Sequence, residues 1–265
     1  MFLAISFPSI DPIALAIGPF AVRWYALAYM AGLLLGWRYL RWVCTWHPQV
    51  TAPKTVDDFL LWATFAVIAG GRVGYVLFYQ PAHYFAHPEE IVAIWKGGMS
   101  FHGGLLGMTL AIALYARRLR IPMLALADRV ACVVPIGLFF GRIANFINGE
   151  LYGRPGNVPW AMIFPTGEPL PRHPSQLYEA TLEGLVLFAI LLVASRLDRV
   201  RGRYGLLTGL FLFGYATFRI TGELFREPDL QIGFLAGGTT MGQILSLPLL
   251  FVGLLLVTLA WVRRH

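Results

Sequence analysis

Apolar runs long enough to cross a lipid bilayer recur along this 265-residue chain, and no other feature limits its fold so strongly. A crossing helix needs roughly 20 predominantly apolar residues. Inside lipid the backbone must satisfy its own hydrogen bonds, so a spanning segment is a helix or a strand of a closed barrel. The runs here have helix length. Seven candidates fall at about 20–41, 57–79, 103–117, 124–148, 176–195, 204–225 and 239–262. The third is short, and glycine blurs its start. The chain is 57% hydrophobic and 13% charged, against about 25% charged in a soluble domain. The expected fold class is therefore an all-α integral membrane protein with about seven transmembrane helices. With no repeat, low-complexity tract or linker in sight, residues 1–265 read as a single polytopic membrane domain.

The net charge of +7 suggests nucleic acid at first, but the basic residues are spread by loop rather than gathered in a patch. Placing the amino terminus outside leaves 13 Lys/Arg on the inner side and 5 on the outer, with Arg72, Arg142 and Arg219 inside or at the edge of spans. Positive residues stay cytoplasmic, so the amino terminus is expected outside and the carboxyl terminus inside. Basicity sets topology, and no nucleic-acid partner is expected. "MFLAISFPSIDPIALAIGPF" lacks the positive n-region of a cleavable signal peptide. With Pro8, Pro12 and Pro19, its first 19 residues predict an amphipathic lead-in on the outer surface. Cys44 and Cys132, near the inner side and within a span, read as structural rather than as a disulfide.

The inner loops are short and basic. The outer loops, about 80–100 and 154–175, are longer, and the second carries five prolines among aromatics, which predicts a small ordered cap on the outer face. Unusual polar residues inside the membrane also collect toward the outer ends of their spans. "GRIANFINGELYG" (141–153) continues the apolar run VACVVPIGLFF yet holds Arg142, Asn145, Asn148 and Glu150. Read as continuing helix, Arg142, Asn145 and Gly149 share one face. An arginine at bilayer depth costs on the order of 2.5–3.5 kcal/mol and defaults to a functional role; the bland alternative is a snorkelling arginine with amides gluing neighbouring helices.

"YATFRITGELFREPD" (215–229) stacks Tyr215, Arg219 and Glu223 at i, i+4, i+8, with Glu223 placed to neutralise Arg219. "KGGMSFHGGLLG" (96–107) fences His102 with glycines, which permit close approach of a ligand or a neighbour. Alone, a histidine there is more often structural, yet it is the chain's natural proton acceptor. "RHPSQLYEATLEG" offers Ser175 as an N-cap, followed by Gln176, Glu179 and Glu183 on one face as counter-ions for the arginines. Ala66, Gly70 and Gly74 form a small-residue packing face, with Arg72 off it and either structural or catalytic. Tyr25 and Tyr29 lie one turn apart, as belt tyrosines do.

Two arginines, a histidine and amides near one leaflet suit a phosphate, because the planar guanidinium fork grips phosphate as lysine cannot. The residues alone therefore point to a multi-span protein that handles a phospholipid or another lipid-borne anion. A transporter or channel for an anion, or a different lipid-dependent transferase, would use the same parts. The absence of an internal repeat and of an aspartate-rich metal motif weighs against those two.

The same stretches carry a resemblance. "GRIANFINGELYG" is similar throughout to the signature of the prolipoprotein diacylglyceryl transferases, and "GGMSFHGGLLG", "RHPSQLYEA" and "YATFRITGELFREPD" resemble that family's other motifs in the same order. The likeness runs from about Tyr25 to Gln243; Ala161 after Trp160 departs from a glycine expected there. The resemblance implies a seven-span enzyme of the bacterial inner membrane that needs no cofactor or metal. It implies transfer of the sn-1,2-diacylglyceryl group from phosphatidylglycerol to the thiol of the lipobox cysteine of a preprolipoprotein. A thioether forms and glycerol-1-phosphate leaves, the first step of lipoprotein maturation. By the same resemblance His102, Arg142, Arg219, Tyr25 and Glu150 belong to the catalytic set. Arg142, Asn145, Gly153, Tyr215, Arg219 and Glu223 would then bind phosphatidylglycerol. His102 is the candidate base, Asn145 a residue orienting headgroup or arginine, and Gly153 one that permits a tight turn.

Overall fold

The computed structural model describes residues 5–8, 10–18, 20–228 and 233–262. The chain is mostly helical. In order, its helices are α1 (Trp24–Val43), α2 (Pro53–Phe78), α3 (Pro81–Ala86), α4 (Phe101–Leu119), α5 (Met123–Ala131), α6 (Val134–Ile147), α7 (Ser175–Glu179), α8 (Leu187–Arg196), α9 (Asp198–Arg201), α10 (Leu206–Glu223) and α11 (Met241–Val262). A π-helical stretch, Ala180–Val186, joins α7 to α8. Helix thus occupies every one of the seven apolar stretches. Among the described residues, four helical segments are long and apolar enough to cross a membrane: Pro53–Phe78, Met123–Ile147, Ser175–Arg196 and Met241–Val262. The second is broken at Cys132–Val133, where Pro135 lacks the N–H that a continuous helix would use.

By internal contacts the chain forms two compact units, 1–40 with 128–265, and 41–127. In the first, the lead-in is extended strand. β2 (Ile13–Ile17) and β3 (Phe20–Arg23) pair antiparallel, turning at Gly18 with φ +57°. β1 (Ile5–Ser6) pairs in parallel with β4 (Met162–Ile163) of the proline-rich loop. Phe7 packs against Phe146 and Phe164 in tilted arrangements, at ring distances of 5.3 and 5.2 Å. Residues 1–4, 9 and 19 of that lead-in, Asp229 and the terminal Arg263 and Arg264 lie outside the described residues.

The core of this unit is built on Cys132, Leu187, Leu191, Leu207 and Tyr215, so Cys132 is a packing residue as expected. Helices α10 and α11 cross at Gly209 and Gly253, where an added Cβ at Gly253 would sit 2.5 Å from the Phe213 nitrogen. The start of α10 is held by Asp128, whose carboxylate accepts from the Gly205 and Thr208 N–H groups at 2.8 and 2.7 Å and from the Thr208 hydroxyl at 2.6 Å.

In the second unit, α2 and α4 pack through the small residues that the spacing predicted. Gly74 faces the Gly103 Cα and Gly70 the Gly107 Cα, leaving no room for side chains. The glycines around His102 therefore serve a neighbouring helix. Arg72 is buried and donates to five backbone carbonyls: Ile91 (2.7 Å), Gly97 (2.5 Å), Gly98 (3.1 Å), Glu90 (2.6 Å) and Ala93 (3.4 Å). Its role is to fold the 90–98 loop, which settles the choice that its position in the sequence left open.

Candidate active site

The signature stretch continues as helix only through Ile147. α6 ends at Ile147, and Gly149 enters the left-handed region at φ +65°. The Glu150 N–H returns to the Asn145 carbonyl (3.1 Å) and the Gly149 N–H to Phe146 (2.9 Å), which is the Schellman closure that glycine permits. Gly149 thus leaves the face of Arg142 and Asn145. The turn brings the Glu150 carboxylate back onto the helix end. Its Oε1 accepts from the Asn145 amide at 2.8 Å and from Asn148 at 3.4 Å. Asn145 therefore holds Glu150 rather than an arginine, the second of the two partners expected for it. The Tyr25 hydroxyl, 3.3 Å from that of Tyr29, also meets the Asn145 side chain and faces Glu150. This lifts Tyr25 out of the ordinary run of belt tyrosines.

Arg142 and Arg219 come together as the sequence suggested, through carboxylates supplied by α7 and the π-helical stretch. Glu179 is the hub. Its Oε2 lies 2.8 Å from Arg142 Nε, and its Oε1 lies 3.1 Å from Arg219 Nη1 and 3.4 Å from Arg226 Nη1. Glu183 reaches Arg142 Nη2 at 3.4 Å and Arg219 Nη1 at 3.7 Å. Glu223 grips Arg219 Nη2 at 2.5 Å, the expected i,i+4 pair, and stands 3.9 Å from Arg226 Nε. Tyr215 is buried within electrostatic reach of Glu183, Arg219 and Arg142.

Glycine makes room for each approach. Gly184 lets the α6 backbone at Phe139 come against the π-helical stretch. Gly222 faces the Glu179 side chain, and Gly242 covers Glu223, where a Cβ would sit 2.5 Å from Oε1.

Two properties bear on chemistry. The arginines stand in front, with 17% and 13% of the Arg142 and Arg219 side chains exposed, while Glu179 and Glu183 behind them show 1% and 0%. Contact distance is also not alignment: Arg219 Nη1, Glu179 Oε2 and Glu183 Oε1 make no properly directed hydrogen bond.

Gly153 does not make a turn. It lets three backbones meet, because a Cβ there would lie 2.5 Å from the Phe225 carbonyl and 2.6 Å from that of His173. Its own N–H donates to His173 and its carbonyl accepts from Arg172. Ser175 is not the N-cap. Pro174 precedes α7, and the Ser175 hydroxyl donates to the Leu151 carbonyl at 3.1 Å while the Gln176 amide donates to Glu150 at 2.6 Å. These two bonds dock α7 onto the signature turn. His102 belongs to the other unit, exposed on the first turn of α4.

Sequence reasoning left Arg226, Glu179 and Glu183 off the site, although Arg226 lies three residues after Glu223 and both glutamates had been read as counter-ions. The proline-rich loop is ordered. Trp160 donates to the Tyr178 hydroxyl at 2.6 Å, and that hydroxyl also pairs with His173 Nδ1, 3.1 Å away. Desolvation pushes His173 below the usual imidazole value, favouring the neutral ring.

A family model described as prolipoprotein diacylglyceryl transferase matches residues 12–259. Among curated proteins, phosphatidylglycerol–prolipoprotein diacylglyceryl transferase of Paramagnetospirillum magneticum is 57% identical over 100% of this chain and 98% of its own length. The protein of the same name from Rhodospirillum rubrum is 58% identical over 98% of this chain and 96% of its own length. That of Nitrobacter hamburgensis is 54% identical over 99% and 92%.

Proposed function

The chain belongs to the prolipoprotein diacylglyceryl transferase family, and we infer that it moves a diacylglyceryl group from phosphatidylglycerol to a prolipoprotein, the first step of lipoprotein maturation. The observation that carries the site is the pair Arg142 and Arg219, set side by side in front of shared buried carboxylates. In our reading the acceptor is the lipobox cysteine thiol. Its sulfur attacks the saturated glyceryl carbon, the bond from that carbon to the phosphate oxygen breaks, and glycerol-1-phosphate leaves with the electron pair.

Charge builds on the departing phosphate, where preorganised donors act most strongly; this is the role we assign to Arg142 and Arg219. Glu223 and Tyr215 orient Arg219, while Asn145 and Tyr25 orient Glu150 at the edge of the headgroup site. Gly153 keeps the cap closed against the signature turn. His102 takes the thiol proton, since a thiol near pKa 8.5 is mostly protonated at neutral pH. We further propose seven crossings within one membrane domain of the bacterial inner membrane. The amino terminus and cap lie outside, the carboxyl terminus lies in the cytoplasm, and the site opens to the outer leaflet. The 13-to-5 distribution of basic residues supports that orientation.

The deciding experiment mixes purified protein, phosphatidylglycerol and a lipobox peptide. A mass gain of one diacylglyceryl unit, abolished by Cys→Ser in the peptide, is expected. No product from folded protein would overturn the reading.

A further inference from the structure

The ion-paired side chains of the site balance: Arg142, Arg219 and Arg226 against Glu179, Glu183 and Glu223. A site built only to attract phosphate would leave its arginines unopposed, so the three carboxylates need a reason. The chemistry supplies one. In the transfer a sulfur–carbon bond forms and a carbon–oxygen bond breaks, and the thiol proton passes to the base. The phosphorus goes from diester to monoester. A phosphodiester carries one negative charge at every working pH. A monoester has a second ionisation near pKa 6 and carries about −1.5 to −2 at neutral pH.

We propose that the three glutamates make this site sort phosphates by charge, retaining a singly charged diester and expelling the doubly charged monoester that the reaction leaves behind. A neutral lattice accommodates one added charge by turning poorly aligned donors such as Arg219 Nη1 toward it. A second charge finds every arginine of the lattice already matched, the next cation, Arg154, lying one layer out, and stands against carboxylates that are almost wholly shielded from water. The glutamates cannot swing away. Gly242 lets backbone close over Glu223, Gly222 lies against Glu179, and Glu179 is already shared among all three arginines. The charged and titratable groups around the proposed phosphate position are Arg142 on α6, Glu179 and Glu183 on α7 and the π-helical stretch, and Tyr215, Arg219 and Glu223 on α10, with Arg226 beyond it and Glu150 and Tyr25 at its edge. One layer out, Arg154 donates to the Glu223 and Arg226 carbonyls at 3.0 and 2.9 Å.

The proposal rests on phosphatidylglycerol being the donor, and its test separates the two. Wild-type enzyme in detergent is inhibited with glycerol 1-phosphate from pH 5.5 to 8, beside the soluble diester glycerophosphoglycerol. Loss of the monoester's second proton should weaken its inhibition on the order of tenfold, while the diester changes little. Monoester inhibition that is flat, or tighter at pH 8, overturns the proposal. So does a parallel tightening of both ligands on acidification, which would report titration of the glutamates themselves.

At pH 8, Glu179→Gln and Glu183→Gln should each tighten glycerol 1-phosphate on the order of tenfold. They should also lower kcat without raising KM for the lipid, as slow product release demands. Equal weakening of lipid and product would mean a merely structural role and would sink the idea. If either variant fails to fold, the wild-type pH series still decides. An enzyme that never transfers lipid to peptide refutes the donor reading; an active enzyme with no charge preference refutes only this one.

Discussion

Arg72 and Arg219 both lie within helices of 18 residues or more, and they are satisfied in opposite ways. The five N–H donors of Arg72 meet five neutral carbonyls, all from the loop that ends at Gly98. Exchanging any of these for a ligand would unfold the loop. Arg219 instead stands among three carboxylates, with Nη1 near two of them but aligned with neither. An arginine inside a largely apolar helix is therefore not by itself a ligand site. The kind of acceptor around it, and whether the donors are fully engaged, separate a structural rivet from a working group.

Predictions that strain this contrast follow in order of size. Arg142→Ala should cut turnover on the order of a hundredfold or more, corresponding to about 2.7–4 kcal/mol of lost charge stabilisation. Purified variant with near-wild-type turnover would remove Arg142 from the site. Arg72→Ala should act on folding instead, leaving buried carbonyls unpaired at a cost on the order of 3 kcal/mol. Activity per folded molecule should be retained. A stable but inactive variant, by thermal unfolding in detergent and the peptide assay, would erase the distinction between the two arginines.

Gly153→Ala should cost about 1–3 kcal/mol, because the new methyl must push apart backbones rather than side chains. It should also lower activity through a loosened cap, and a wild-type melting midpoint would contradict the close approach. The smallest effect belongs to the loop of Arg72. Lys96 and then His83 hold the exposed Glu90 carboxyl at about 2, below its ordinary 4.5. A lowered folded-state value adds stability above pH 4.5 that is lost as pH falls toward 2. Glu90→Gln should slightly lower the melting temperature at pH 7, where that stability is fully present, and flatten its fall across the acid window.

Much of the molecule was legible from residue pattern. Every apolar run became helix, Glu179 and Glu183 became counter-ions, and the alanine–glycine face of α2 met α4. What escaped depended on partners distant in sequence. Nothing local marks β1 as a strand; it is one because Met162 and Ile163, more than 150 residues on, offer it an edge. Ser175 has the composition of a cap, but the Leu151 carbonyl outcompeted its own helix for the hydroxyl. "FINGE" reads as continuing helix until one notices that its glycine lets the chain reverse. Arg226 looked like a loop charge because its carboxylate is 47 residues away.

Helix α10 is fastened at both ends. Asp128 clasps its first turn, and Arg219 and Glu223 are locked into the ion-pair lattice at its last. Sliding it by one residue, about 1.5 Å, would break bonds at opposite ends of the helix together. The helix therefore works as a tie-rod under two-point tension, resisting axial creep while lipid and peptide come and go around it. A change at Thr208, far along the rod from any phosphate, would be felt at Arg219 as lost register.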